Sequence, residues 1–255
     1  MKLTFLGTGT SQGVPVIGCN CKVCISDDSR DQRLRTAVAV EIENQRIIID
    51  VGPDFRQQML RENIVSLNAI LITHGHKDHL GGLDDVRAIN YFARKPVDVY
   101  ATREVQRVIK KEFSYAFTKN PYPGVPEIAL HTITNKSFKL NNIDITPIKS
   151  LHYGKEQYVF GFRIEDLTYI TDAVYIPEKE KQKIKGSKVV VLNALRKQKH
   201  YSHFNLSEAL ELMNEFSPEQ GFLTHISHQL GAHNDVEQEL PSNVKLAFDG
   251  LTITF

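Results

Sequence analysis

His74-Gly75-His76-Lys77-Asp78-His79 is the stretch on which the fold and the chemistry turn. Four imidazole and carboxylate donors, His74, His76, Asp78 and His79, fall within six residues. Just before them, Ala69–Thr73 is an apolar run of strand character, and Gly81-Gly82 follows just after. A strand end presents side chains at a sheet edge, where a tight loop can turn alternate residues toward one point. In a core, so many polar donors would carry a heavy desolvation cost unless they bound something. On a surface they could simply be solvated, but the dense spacing favours a metal.

Outward from the loop, strand signals dominate. Thr36–Glu43 alternates, and Arg46–Asp50 is apolar and ends in an acid, with Asn44-Gln45 read as the hairpin turn between them. Further strands are expected at Val97–Tyr100, Ile143–Ile148, Tyr158–Ile164, Leu167–Thr171, Val189–Leu192, Gly221–Thr224 and Leu251–Phe255. Helices are expected over Gly82–Tyr91, over Arg103–Phe117 with Thr102 as N-cap, and over Leu206–Phe216. In the last of these, Asn205 and Glu208 have capping-box spacing. Lys119–Pro126 reads as a loop, and no internal repeat or linker is visible. Strands with interspersed helices fit a layered α/β sandwich, read as one domain over residues 1–255.

All three cysteines fall in Cys19-Asn20-Cys21-Lys22-Val23-Cys24. Such clustering argues for a metal rather than disulfides. A structural zinc takes four ligands, and with no fourth cysteine a histidine should complete the site.

Over 255 residues, hydrophobic types make up 41% and charged types 24%, the balance of an ordinary globular chain. A formal net charge of +1 supplies no global field for nucleic acid. No apolar run reaches membrane-spanning length, and Lys2–Leu6 reads as a strand rather than a signal peptide. The expected setting is cytoplasmic, with no membrane partner.

The pattern H-x-H-x-D-H at His74–His79 resembles the signature of the metallo-β-lactamase superfamily. The resemblance implies an αββα sandwich with metal ligands on loops at one edge. It implies one metal held by His74, His76 and His152, a second by Asp78, His79 and His225, and Asp172 as the bridge between them. Asp50 matches a position that orients a ligand histidine. Two divalent ions, Zn, Mn or Fe, would share a hydroxide and clamp a displacement at phosphorus.

The cysteine loop narrows the resemblance further. Gly7–Pro15, Leu223–Gln229 and Phe248-Asp249-Gly250 look like the subgroup that includes the phosphoribosyl cyclic phosphate phosphodiesterase. That likeness implies His228 as the fourth zinc ligand, with His233 as its competitor. It also implies His203 as general acid or phosphate binder, alongside Asp78 in the catalytic set, with His200 close enough to be confused with it. His131, His200 and His233 otherwise read as surface-loop histidines, and Arg87, Tyr91, Phe92 and Arg94 as candidates for a pocket wall.

The implied activity is phosphodiester hydrolysis on a small cyclic phosphate or nucleotide. The alternatives are an RNA-processing endonuclease and a non-hydrolytic cofactor-biosynthesis factor like the pyrroloquinoline quinone synthesis protein. A homodimer is implied by analogy alone.

Overall fold

The structure, a computed structural model, describes residues 1–154 and 157–255. It divides into two compact units, each assembled from non-contiguous segments. The first comprises Met1–Gly7, Arg35–Ile133 and Gly250–Phe255, and the second Thr8–Leu34 and Thr134–Asp249.

The first unit holds β1 (Lys2–Gly7), β2 (Ala37–Ile42), β3 (Gln45–Ile49), β4 (Ala69–Leu71), β5 (Val97–Ala101) and β6 (Ile128–Thr132). The C-terminal strand β14 (Thr252–Thr254) completes its sheet, in the order β14-β1-β2-β3-β4-β5-β6. The second unit holds β7 (Phe138–Leu140), β8 (Ile143–Tyr153), β9 (Gln157–Ile164), β10 (Leu167–Tyr169), β11 (Val189–Asn193), β12 (Gln220–Thr224) and β13 (Val244–Leu246). Their order is β13-β12-β11-β10-β9-β8-β7.

Both sheets follow one plan. The first pairs antiparallel from β14 through β3 and parallel from β3 to β6. The second pairs antiparallel from β7 through β10 and parallel from β10 to β13. A repeat of topology therefore exists where no repeat of sequence is visible, because pairing order depends on burial pattern and connection length rather than on residue identity.

Residues buried on both faces of a parallel sheet read as continuous apolar runs. Ile47, Ile48 and Ile49 of β3 and Val189, Val190, Val191 and Leu192 of β11 are all fully buried. Each unit has its own core. One gathers Leu6, Ile48, Ile70, Val99 and Ile109 with Phe55, and the other Ile148, Ile170, Val190, Leu192, Met213 and Leu223. The two-sheet α/β architecture expected from the sequence is thus present.

Helices α1 (Phe55–Arg61), α2 (Lys77–Leu80), α3 (Val86–Ala93) and α4 (Arg103–Glu112) belong to the first unit. Helices α5 (Glu178–Ile184), α6 (Leu206–Phe216) and α7 (His233–Glu237) belong to the second. The expected caps form. Thr102 Oγ1 accepts from Val105 N, and Asn205 and Glu208 close a full capping box.

Several boundaries differ from expectation. The stretch read as one helix over Gly82–Tyr91 is a 3-10 turn at Leu83–Asp85 followed by α3, and a separate helical turn, Lys77–Leu80, precedes it. Gly81-Gly82 allows the break, since Gly is a poor helix former. The helix expected to reach Phe117 stops at Glu112 and continues as a 3-10 turn, Ser114–Phe117. The hairpin turn is Glu43-Asn44, both at positive φ, because β3 already begins at Gln45. Strand β8 runs on to Tyr153, so His152 lies within it rather than in a loop beyond it. Strands β6, β7 and β13 and helices α1, α5 and α7 were not anticipated. Most are short, and a few residues carry too little periodicity to be read.

Candidate metal centres and active site

In the first unit, β4 leads through Ile72-Thr73 into the histidine loop, and His76 caps α2 with no side-chain hydrogen bond to the helix. His74 and His79 are buried, Asp78 is half-buried and His76 is exposed. The His74 ring lies 4.5 Å from that of His76 and 4.2 Å from that of His79. His79 Nε2 lies 3.1 Å from Asp78 Oδ2. The four donors are therefore gathered, as their spacing predicts.

Asp50 is the organiser of this group. It follows β3 in the left-handed region, at φ 66°, and is fully buried. Its carboxylate accepts from Thr73 N and Thr73 Oγ1, and from His79 Nδ1 at 2.7 Å. Burial pushes this carboxyl upward, while the His79 imidazole and the Thr73 donors oppose that shift. With Nδ1 committed to Asp50, His79 is held as the tautomer that ligates through Nε2, the carboxylate–histidine arrangement typical of metal sites.

Two glycines let these segments meet. Val51 N donates to His79 O, and Gly82 N donates to Val51 O. A Cβ on Gly52 would overlap the Asp78 carbonyl oxygen, and one on Gly82 would overlap the Gly52 carbonyl oxygen. Gly52→Ala is accordingly expected to destabilise the protein by about 1–3 kcal/mol, the usual cost of overpacking. It should also displace Asp78. Thermal unfolding together with metal affinity checks this, and an unchanged variant would contradict the close approach.

In the second unit, His152, Asp172 and His203 place ligand-capable atoms within 4.8 Å of one another. His152 Nδ1 donates to Ser202 O at 3.1 Å, which commits its tautomer in the same way. Asp172 sits just beyond β10 at φ 57°, and His225 just beyond β12 at φ 56°. Such backbone strain is tolerated where the surroundings over-determine it, and it concentrates at functional sites. Asp172 accepts from Thr171 Oγ1 at 2.6 Å and from His203 Nε2 at 3.0 Å, and His225 Nδ1 lies 3.2 Å from its other oxygen. His203 Nδ1 meets Ser202 Oγ at 2.9 Å and His200 Nδ1 at 3.2 Å. Burial, followed by His203 and Arg196, lowers the His200 pKa. His200 is thus not an isolated surface-loop residue but part of a histidine cluster.

The cysteine site also lies wholly in the second unit. Cys19 Sγ, Cys21 Sγ and Cys24 Sγ lie 3.4, 3.3 and 3.5 Å from His228 Nδ1. Tetrahedral zinc, with Zn–S near 2.3 Å and Zn–N near 2.0–2.1 Å, places sulfur and nitrogen about 3.5 Å apart. The donor set therefore fits zinc in both chemistry and spacing. The Cys24 backbone N–H and then His228 pull the Cys21 thiol down to about 6, whereas burial pushes Cys24 up to about 11.

His233, the competing fourth ligand, is placed elsewhere. Far from lying on a surface loop, it is buried at the start of α7, where its Nδ1 accepts from Arg33 Nη2 at 3.1 Å. Arg33 is itself buried and donates to Thr8 Oγ1 and Ala247 O, and Asp31 accepts from His233 N. His131 also departs from expectation. It lies on β6, paired with Asp98 at 2.6 Å and stacked on Tyr100.

Burial, then Arg33 and Arg30, push the His233 imidazole from its ordinary 6.5 down to about 4. Between these values the unfolded chain binds a proton that the folded chain refuses. Stability is therefore expected to fall as pH drops from about 6.5 to about 4, by on the order of 2–3 kcal/mol. Urea unfolding of the wild type and His233→Gln across that window checks it. The wild type should show the extra pH dependence, and equal slopes would refute it.

Asp50 apart, sequence reading missed the residues that orient the candidate ligands. Thr73, Thr171, Ser202 and Asn193 are the main ones, and the Asn193 side chain brackets the Ala173 backbone next to Asp172. A signal for part of this was present. Thr73-His74, Thr171-Asp172 and Thr224-His225 each set a threonine before a candidate ligand near a strand end.

Arg87 and Tyr115 both bond to Asp84, and Tyr91 and Phe92 are exposed. Among the described residues, no helix is long and apolar enough to cross a membrane.

Residues 45–226 match the family described as the beta-lactamase superfamily domain, and the chain belongs to that family. Within it, the chain is similar to the crystal structure of a diphosphatase of the PhnP family, with 36% identity and a TM-score of 0.92 over 100% of this chain and 97% of that one. This likeness gives the chain the metallo-β-lactamase αββα fold. Zinc-bound PqqB of Methylobacterium extorquens shares the fold at 18% identity, with a TM-score of 0.80 over the full length of both chains. An octanoyltransferase of Porphyromonas gingivalis is 36% identical over 98% of this chain and 51% of its own length. This chain spans about half of that relative, so the activity in its name is not carried over.

Proposed function

We propose that this chain is a metal-dependent phosphodiesterase acting on a small phosphodiester, a cyclic phosphate or a nucleotide. The observation that carries the reading is the pair of donor sets, each gathered within one unit of a superfamily fold. One is His74, His76, Asp78 and His79, and the other His152, Asp172, His203 and His225. The family resemblance assigns His74, His76 and His152 to one divalent ion and Asp78, His79 and His225 to a second, with Asp172 shared, in one hydrolase domain over residues 1–255. Imidazole and carboxylate donors suit Zn, Mn or Fe. When bound, two such ions supply charge neutralisation at phosphorus and a water acidic enough to react near neutral pH.

The chain's own residues do the rest. Asp50 and the Ser202 carbonyl hold His79 and His152 in their ligating tautomers. His203 Nε2 lies 3.0 Å from Asp172 Oδ1, and its Nδ1 lies 2.9 Å from Ser202 Oγ. It is thereby placed to give a proton to the leaving oxygen as general acid. Cys19, Cys21, Cys24 and His228 bind a structural zinc, and such a thiolate site suits the reducing cytoplasm. The small net charge gives no support to an extended RNA grip.

Metal content and turnover of bis(p-nitrophenyl) phosphate, before and after adding Mn or Zn, test this. About three metals per chain with cleavage supports the reading. Zinc at the cysteine site alone, with no turnover on added metal, would refute it.

A further inference from the structure

Beside the histidine cluster of the second unit stand two exposed tyrosines that no step above uses. Tyr153 follows His152 directly, and Tyr201 precedes His203 by two residues. Tyr153 is 55% exposed and Tyr201 72% exposed, so both present aromatic surface next to the buried His152 and His203. Large aromatic side chains left in water beside a site commonly serve recognition.

Their geometry is specific. The Tyr201 ring stacks on His200 with centroids 4.3 Å apart and planes 29° apart. Tyr153 meets Tyr201 edge to face, at 5.5 Å and 77°. The two rings therefore form the walls of a right-angled corner. His200 backs one wall and is itself held to His203 and Ser202. Both walls are thus tied, through the backbone and through hydrogen bonds, to the residues assigned to the reaction.

The geometry points to Tyr153 and Tyr201, backed by His200, as a stacking platform for the planar base of a nucleotide whose phosphate lies at the His152–Asp172–His203 cluster. This deepens the reading above and rests on it: the substrate is a base-bearing phosphodiester rather than a bare sugar phosphate. A flat heteroaromatic base suits such a corner better than an aliphatic chain does. It lies against one ring face and meets the edge of the other, and π-stacking accepts any base without side-chain readout.

AMP and ribose 5-phosphate share a sugar and a phosphate and differ by the adenine, so calorimetric titration of the metal-loaded protein with each isolates the base. The platform predicts that AMP binds about tenfold tighter, within what stacking on one side chain supplies. Tyr201→Leu and Tyr153→Leu should each erode that margin while leaving ribose 5-phosphate binding unchanged, and Tyr201→Phe should keep it. Because both rings are exposed, the unfolding temperature should not move, which separates loss of stacking from loss of fold. Equal binding of the two ligands by the wild type, failure of AMP to bind, or a base preference that survives both leucine variants would overturn the proposal. If AMP binds through the tyrosines but no phosphodiester is cleaved, the hydrolytic reading fails and the platform stands. If phosphodiesters are cleaved with no base preference, the platform alone fails.

Discussion

Replacing His76 by alanine is expected to lower phosphodiester turnover about a thousandfold, the loss of several kcal/mol of charge stabilisation at phosphorus. The unfolding temperature should barely change. His76 is exposed, and although it occupies the N-cap of α2, its side chain makes no capping bond. Its backbone carbonyl, which accepts from His79 N, is kept by alanine. The effect should therefore appear in metal content and in kcat rather than in stability. Steady-state assays with bis(p-nitrophenyl) phosphate, beside metal analysis of the same sample, decide it. Turnover at the wild-type rate would remove His76 from the site and with it the assignment of the loop. His79→Ala should behave differently. It leaves the buried Asp50 carboxylate without its imidazole partner, so stability and activity should fall together.

The second large effect concerns the cysteine loop. Cys21→Ser is expected to release the structural zinc and to lower the unfolding temperature by roughly 10 °C, the equivalent of a few kcal/mol for a chain of this size. Catalysis should weaken too, for a reason visible within the second unit. Ile226 N donates to Thr8 O, and Thr10 N donates to Ile226 O, so the segment holding the cysteines is stitched to the one carrying His225 and His228. Thr10 Oγ1 also lies 3.4 Å from His225 Nε2. A loop no longer pinned at His228 loosens the neighbours of His225. Differential scanning fluorimetry with and without a chelator, compared between wild type and Cys21→Ser, checks this. A variant that keeps its zinc and its melting temperature would refute the site.

These expectations rest on features of unequal legibility. The histidine loop and the cysteine loop could be read because their donors are neighbours along the chain, and dense donors are costly unless they serve a metal. The apolar runs of β3 and β11 were legible for a similar reason, since burial on both faces leaves an unbroken hydrophobic signature. His228 was reached through the family resemblance, and its Nδ1 lies 3.4, 3.3 and 3.5 Å from the three sulfurs. His233 was misplaced, because nothing local distinguishes a histidine that receives a hydrogen bond from a buried arginine 200 residues away.

By itself, then, the sequence determined the class of donors, the family and most of the strands, because these depend on short-range spacing and periodicity. Only the tertiary structure decided the common pairing plan of the two sheets and the left-handed turns that carry Asp50, Asp172 and His225. It alone decided the tautomer-setting bonds to His79 and His152 and the tyrosine corner beside His203. Each of these joins residues tens of positions apart, and such contacts are chosen by the packing of the whole chain rather than by the residues on either side.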